Sequence, residues 1–248
     1  MELSKRLQAV ANMVSKGNTV ADVGCDHGYV SIYLVESGIA PHVIAMDVNV
    51  GPLERAKEHI TEHNLLSYID TRLSNGLRNL EKNEADSLIC AGMGGRLITQ
   101  ILQDEKEKIA NMKELILQPQ SEIHLVRGFV RMMNFVIVQE DMVYEDGKYY
   151  PILRAVPENT ENISQKTVEN CLDKKQLQDI FDEYGEYLIT GKHPVLADYL
   201  CFQKTKIEKL IHDLTNTSAS TEKQKVRLIE LQKELMKIRE VQKLMQSC

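Results

Sequence analysis

None of the five cysteines in this 248-residue chain stands in C-x-x-C spacing. Cys25, Cys90, Cys171, Cys201 and Cys248 are scattered and odd in number, which excludes a closed disulfide frame and a thiolate zinc site. A reduced, cytoplasmic setting is expected. No apolar run approaches the ~18 residues of a membrane helix. The opening Met1–Arg6 also lacks a signal-peptide apolar segment, so no membrane partner is expected. Around the first glycine turn there is neither the G-x-G-x-x-G of dinucleotide sites nor the G-x-x-x-x-G-K-[ST] of phosphate loops. Basic excess is missing too: the net charge is −6 and the pI about 5.7, unusual for a nucleic-acid binder. Finally, the chain has no Asn/Asp-Pro-Pro-aromatic run, and the glycine-rich Gly92-Met93-Gly94-Gly95 follows the apolar run ending at Ala91.

What is present begins with Thr19–Tyr29, a short apolar run broken at Gly24 and followed by a helix-compatible segment. This reads as strand, tight turn and helix. Gly24 and Gly28 let backbone approach a ligand closely, and the helix start aims unpaired N–H groups into the crevice. Asp22, Asp26 and His27 make the turn acidic, which repels phosphate and suits a cationic ligand such as S-adenosylmethionine. A second strand, Pro41–Asp47, ends in a carboxylate 23 residues after Gly24, where nucleotide-binding α/β units place the acceptor for ribose hydroxyls. Asn75-Gly76 closes a third strand and offers an amide to an adenine edge. Ser87–Gly92 runs into a further flexible turn at Met93-Gly94-Gly95.

Strand signals at 19–24, 42–47, 69–73, 87–92 and 115–119 alternate with helical ones at 3–15, 29–37, 52–64, 96–109 and 122–133. Phe135–Tyr144 and Tyr149–Val156, joined through Asp146-Gly147, read as a terminal hairpin. The expected fold is α/β, Rossmann-like and seven-stranded, with an antiparallel strand at one edge. Residues 158 to about 196 are polar and irregular. Two helical stretches follow, lined by Leu200, Ile207, Leu210, Ile211 and Leu214 and by Leu228, Leu231, Leu235, Ile238, Val241 and Leu244, with Thr221 and Gln224 as a capping box. A helical hairpin or short coiled coil is expected. Residues 201–248 hold ten Lys/Arg against six Asp/Glu, a basic arm on an acidic body.

Together, Leu3–Leu7, Asp22–Tyr29, Ala91–Gly95, Leu115–Pro119 and Glu145–Tyr150 resemble the bacterial tRNA (adenine-N1)-methyltransferases. The resemblance implies a class I S-adenosylmethionine-dependent methyltransferase acting on adenosine 22 of the tRNA D-arm, with a C-terminal helical hairpin. Against the usual family pattern, Cys25 replaces serine, Gly28 alanine, Asp47 glutamate, Asn75 aspartate and Gln120 asparagine. The expected domains are 1–157 for cofactor and chemistry and 158–248 for connector and hairpin. Expected cofactor-binding residues are Asp22, Gly24, Cys25, Asp26, His27, Asp47, Val48, Asn75, Gly76, Ala91, Gly92 and Met93. Asp26, His27 and Tyr29 are the candidate catalytic helpers. Adenine N1 has a free lone pair at neutral pH and needs positioning more than deprotonation. The expected partner is tRNA, with no metal and a monomeric or weakly dimeric chain.

Two rival readings stand beside this one. His59-Ile-Thr-Glu-His63 spells H-x-x-E-H, an inverted zinc-peptidase pattern. It would bind zinc given a third ligand and a water position, but it falls on a helix where it flanks a Leu53, Ala56 and Ile60 stripe expected to pack on the sheet. The other reading is an S-adenosylmethionine-binding domain with a dimerising coiled coil, acting on a small molecule or as a non-catalytic interaction protein.

Overall fold

Seven strands form one sheet: β1 (Val20–Val23), β2 (Val43–Asp47), β3 (Ile69–Leu73), β4 (Ser87–Gly94), β5 (Glu114–Ser121), β6 (Phe135–Glu145) and β7 (Lys148–Pro157). The computed structural model describes residues 2–158, 173–216 and 221–247. Strand order is β3-β2-β1-β4-β5-β7-β6. The first five strands pair in parallel, and β7 runs antiparallel to both of its neighbours. The antiparallel strand therefore lies one place in from the edge, with β6 outermost. The cause is the tight turn: Asp146 and Gly147 both take positive φ, 49° and 75°. Such a turn matches strand twist and sends β7 straight back along β6, so that β7 pairs with β5 at Leu115↔Ala155.

β1 and β2 are buried throughout, as central parallel strands covered on both faces must be. Helices α1 (Lys5–Asn12), α2 (Tyr29–Glu36) and α3 (Val50–Glu62) cover one face; Val10, Ile32 and Ile60 pack there on Val20, Ala45 and Ile89. Helices α4 (Gly95–Asp104), α5 (Lys106–Ile109) and α6 (Ile123–Met132) cover the other, where Ile98, Leu102 and Val130 meet Ala21, Leu88 and Leu117. The continuous helix expected over 96–109 is broken at Glu105, whose φ of −123° and ψ of 34° leave the helical region.

The amino-terminal ends of the strands are gathered by one carboxylate. Glu114 accepts from Ser15 N–H (2.8 Å), Ser15 Oγ (2.7 Å), Ser87 Oγ (2.7 Å) and Arg154 Nε (2.7 Å). Asn18 Nδ2 adds a longer bond at 3.3 Å. Burial alone would raise this carboxyl, but the serine and arginine donors hold it below its ordinary value.

The chain divides into two compact units, Met1–Gln165 and Lys166–Cys248. In the second, the stretch read as irregular contains α7 (Lys174–Tyr184) and α8 (Glu186–Thr190). Ile180, Tyr184, Leu188 and Ile189 are buried there, and both helices pack on α10 (Glu222–Ser247). Asp173 caps α7 by accepting from Lys175 N–H at 3.2 Å. Helix α9 (Pro194–Thr215) opens on a proline and runs antiparallel to α10, with Arg239 opposite Glu208 and Gln242 opposite Cys201. Leu200, Ile207, Leu231, Leu235, Ile238, Val241 and Leu244 are buried as expected. Leu210 is exposed, and Ile211, Leu214 and Leu228 are half-buried, so the seam thins toward the turn. Thr221 and Gln224 bond reciprocally, at 2.7 Å and 3.4 Å, which is the expected capping box. The connector over 159–172, the turn over 217–220, Cys171 and Cys248 lie outside the described residues.

Glu114→Gln is expected to destabilise the protein by about 3 kcal/mol, because it leaves Arg154 facing a neutral partner in a buried site. A carboxyl held low in the fold contributes stability above its ordinary pKa of 4.5 and loses it as pH falls below that value. Thermal unfolding from pH 7 to pH 3 is therefore expected to show a shallower acid loss in the variant.

Candidate functional site

The carboxyl ends of β1, β2 and β4, with the loop after β3, enclose a cleft of about 380 Å³. It opens between β1 and β4, where the sheet order reverses and open α/β sheets bind ligands. Asp22, Gly24, Cys25, Asp26, Tyr29, Asp47, Val48, Asn75, Gly76, Ala91, Gly92 and Met93 all line it. Of the thirteen residues expected at a site, only His27 does not.

The floor is built from the glycine turn. Gly24 has φ +73°, and a Cβ there would lie 2.3 Å from Met93 Cε. Its N–H and that of Cys25 both bond to Met46 O, at 2.8 and 3.0 Å, which pins the turn to β2. Gly28 has φ +74°, and an added Cβ would meet Ala56 Cβ of α3 at 3.2 Å. Asp26 itself adopts a left-handed φ of 50°.

Three carboxylates face this turn. Asp47 Oδ1 accepts from Asn49 N–H at 2.8 Å and Oδ2 from Asp26 N–H at 3.4 Å, so backbone aims the group at the cleft. Asp22 is buried and accepts from Ser31 Oγ at 2.7 Å. Burial pushes it up to about 6, against the Ser31 hydrogen bond and with help from the Asp47 charge. Burial and the same carboxylates push the Cys25 thiol up as well, so it is a packed wall and not a nucleophile. A cationic ligand bearing a diol fits this donor set.

The opposite wall departs from regular pairing. β4 carries a bulge between Ala91 and Met93, and Gly92 there has φ +80°. Its N–H bonds to Gln118 Oε1 at 3.1 Å, the same oxygen that receives Arg6 Nη1 at 2.9 Å. Gly95 is required by packing: a Cβ would lie 2.5 Å from Ser121 O and 2.7 Å from Glu122 O. Sequence reasoning missed Arg6, Asn49, Ser74, Leu97 and Gln120 as cleft residues. Only Asn49 and Ser74 carried a signal, standing beside expected residues at strand ends.

His27 turns away from the cleft into a stack. Its ring lies 5.3 Å from Tyr29 (13° between planes) and 5.7 Å from His59, and Tyr29 and His59 are 5.3 Å apart. His27 Nδ1 is buried without a hydrogen-bond partner. His59 Nδ1 contacts His27 O at 3.0 Å, whereas His63 Nδ1 contacts Glu36 Oε1 at 2.6 Å. The two histidines of the H-x-x-E-H run thus engage separate neighbours. Among the described residues no three metal-ligating side chains gather, and no helix is long and apolar enough to cross a membrane.

A family profile described as a methyltransferase domain matches residues 3–153. The tRNA (adenine(22)-N(1))-methyltransferase of Bacillus subtilis is 38% identical over 155 residues, 62% of this chain; the chain spans about 65% of that relative's length. The crystal structure of the B. subtilis tRNA methyltransferase of this specificity is 30% identical with a TM-score of 0.80, covering 97% of this chain and 98% of that one. A Streptococcus pneumoniae protein, a candidate for the same specificity solved with S-adenosyl-L-methionine, is 32% identical with a TM-score of 0.78, over 97% and 99% of the two chains.

Asp47→Ala is expected to weaken S-adenosylmethionine at least tenfold by calorimetry while the thermal midpoint holds, since this carboxylate packs no core. Affinity is also expected to rise between about pH 5 and pH 7, because Asp22 ionises near 6 and its anionic form attracts the cation. Asp22→Asn is expected to flatten that rise.

Proposed function

The chain belongs to the bacterial tRNA (adenine-N1)-methyltransferase family, and we propose that it transfers a methyl group from S-adenosylmethionine to N1 of adenosine 22 in tRNA. One observation carries this reading: an acidic, glycine-floored cleft at the sheet's switch point, in which backbone amides hold Asp47 at the end of β2. The fit to the cofactor rests on that geometry. Gly24 leaves a cradle that a Cβ would fill, and the surrounding carboxylates suit a sulfonium and an amine. Asp47 would hold the ribose diol, Asn75 and Val48 the adenine, and Asp22 and Asp26 the methionine end.

When bound, S-adenosylmethionine supplies a methyl group on a cationic sulfur. The chain's part is positioning. Adenine N1 needs no base to become a nucleophile, and the glycine run at the end of β4 leaves room for a ring where amino-group enzymes place a side-chain amide. Positive charge develops on the adenine as N1 gains its substituent, and the carboxylates lining the cleft favour that charge. Of the candidate helpers Asp26, His27 and Tyr29, the buried His27 Nδ1 is turned from the cleft, so Asp26 and Tyr29, which line it, are the groups suited to take a hydrogen bond from the adenine amino group.

Residues 1–157 would carry cofactor and chemistry, and 158–248 would contact tRNA, in a monomer or weak homodimer. On the hairpin, Lys225, Arg227, Lys237, Arg239 and Lys243 are ion-paired with nearby glutamates. The exposed Lys206, Lys209, Lys223 and Lys233 make no such pair among the described residues, and are the better candidates for phosphate.

Incubation with unmodified tRNA, digestion and nucleoside mass spectrometry are expected to show N1-methyladenosine alone, with turnover surviving EDTA. Loss on chelation, restored by zinc, would revive the His59 and His63 metal reading. Charge reversal at Lys206, Lys209 and Lys223 is expected to weaken tRNA several-fold, most visibly at low salt, with S-adenosylmethionine affinity unchanged.

A further inference from the structure

Among the described residues, Arg6 is the one cation lining a cleft whose charged residues are otherwise Asp22, Asp26 and Asp47. The cofactor's sulfonium and amine have no use for a guanidinium and only its α-carboxylate could take one, so Arg6 serves either that carboxylate or an anion of the substrate. The guanidinium is held from two sides. Nη1 donates to Gln118 Oε1 at 2.9 Å, and the group lies over the Tyr150 ring, 5.4 Å from its centroid. Gln118 is fully buried and its oxygen also receives Gly92 N–H, so the acceptor cannot swing away. The neighbouring Glu145 is engaged elsewhere, taking the backbone N–H groups of Lys5 at 2.7 Å and Arg6 at 3.4 Å. Among the described residues the guanidinium has no carboxylate within ion-pair distance and no second hydrogen-bond acceptor. Four of its five donors therefore remain for a ligand.

Gly92 leaves space beside the guanidinium. A Cβ added to it would lie 3.5 Å from Arg6 Nη1 and 3.8 Å from Gln120 Nε2. The space left by the missing side chain is bounded by two nitrogen donors. An enzyme acting on a base must bring its nucleotide out of the stack, and the nucleotide carries its phosphate with it. A guanidinium fork matches a phosphate's paired oxygens.

The geometry points to a phosphodiester subsite in which Arg6, aimed by Gln118 and Tyr150, holds the backbone phosphate of the target adenosine beside Gly92, with Gln120 as second donor. This rests on the tRNA-methylation reading above. It divides the cleft electrostatically, with a negative half for the cofactor and a single positive anchor for the RNA.

Arg6→Gln keeps an amide donor for Gln118 and removes the charge. It is expected to bind tRNA on the order of tenfold more weakly, as loss of a charge-assisted contact does. The slope of log K against log salt should become shallower by about 0.7–0.9, one phosphate's share. S-adenosylmethionine affinity should stay within about twofold, because the charge-assisted contact being removed belongs to the RNA. Arg6→Lys should restore the slope but only part of the affinity, because an ammonium lacks the fork. A second arm uses the unaltered protein with tRNA carrying methylphosphonates at the linkages flanking adenosine 22. Its loss should match that of Arg6→Gln, and combining the two changes should add nothing. This arm decides alone if Arg6→Gln does not fold. An unchanged salt slope in folded Arg6→Gln, additive losses, or a fall in S-adenosylmethionine affinity with tRNA binding intact would each overturn the subsite. An unaltered protein that neither binds nor methylates tRNA would instead sink the function reading itself, a result distinct from all of these.

Discussion

The buried carboxylate of Glu114 is the constraint on which the first unit depends. It sits at the amino-terminal start of β5 and takes hydrogen bonds from the α1–β1 connection, the start of β4 and the far part of β7. A charge removed from water is costly, and only a full set of donors makes it tolerable. Satisfying Glu114 therefore forces those four segments into one register. Parallel strands held in one register at their starts present their carboxyl ends on the same side of the sheet, and those ends form the cleft. The polar cluster at the base and the functional mouth at the top are opposite ends of the same alignment.

At the mouth, electrostatics take over from packing. Burial raises the Asp22 carboxyl above its ordinary value, and the Asp47 charge adds to this. A cation in the cleft favours the ionised form of such a carboxyl. Arg6 is not that cation, because Gln118 and Tyr150 hold it on the opposite wall by Gly92. Among the described residues, acidic and basic side chains thus share one cleft without an ion pair between them.

Much of this was legible in the residues. Glycines followed by an acidic turn, and an aspartate 23 positions later, are local signals, because strand ends and tight turns are decided by neighbours in sequence. The Asp146-Gly147 hairpin and the Thr221–Gln224 cap are of the same kind. Errors arose where distant contacts intervened. Glu105 breaks what reads as one helix, β7 slips inside β6, and α7 and α8 are helical because α10 covers their apolar faces. His27 looked like a cleft residue from its place in the turn, yet Tyr29 and His59 draw its ring aside.

Sequence alone therefore determined the order of elements, the acidic glycine turn and the residues at the strand ends, since each follows from backbone conformation over a few neighbouring positions. Tertiary structure decided which of them face one another. Arg6, Gln118 and Tyr150 are separated by more than a hundred residues from first to second, and nothing in their local patterns links them. Only the pairing of β4, β5 and β7 beneath α1 brings a lone cation to the edge of an acidic cleft, because the energies that place it there are long-range in sequence and short-range in space.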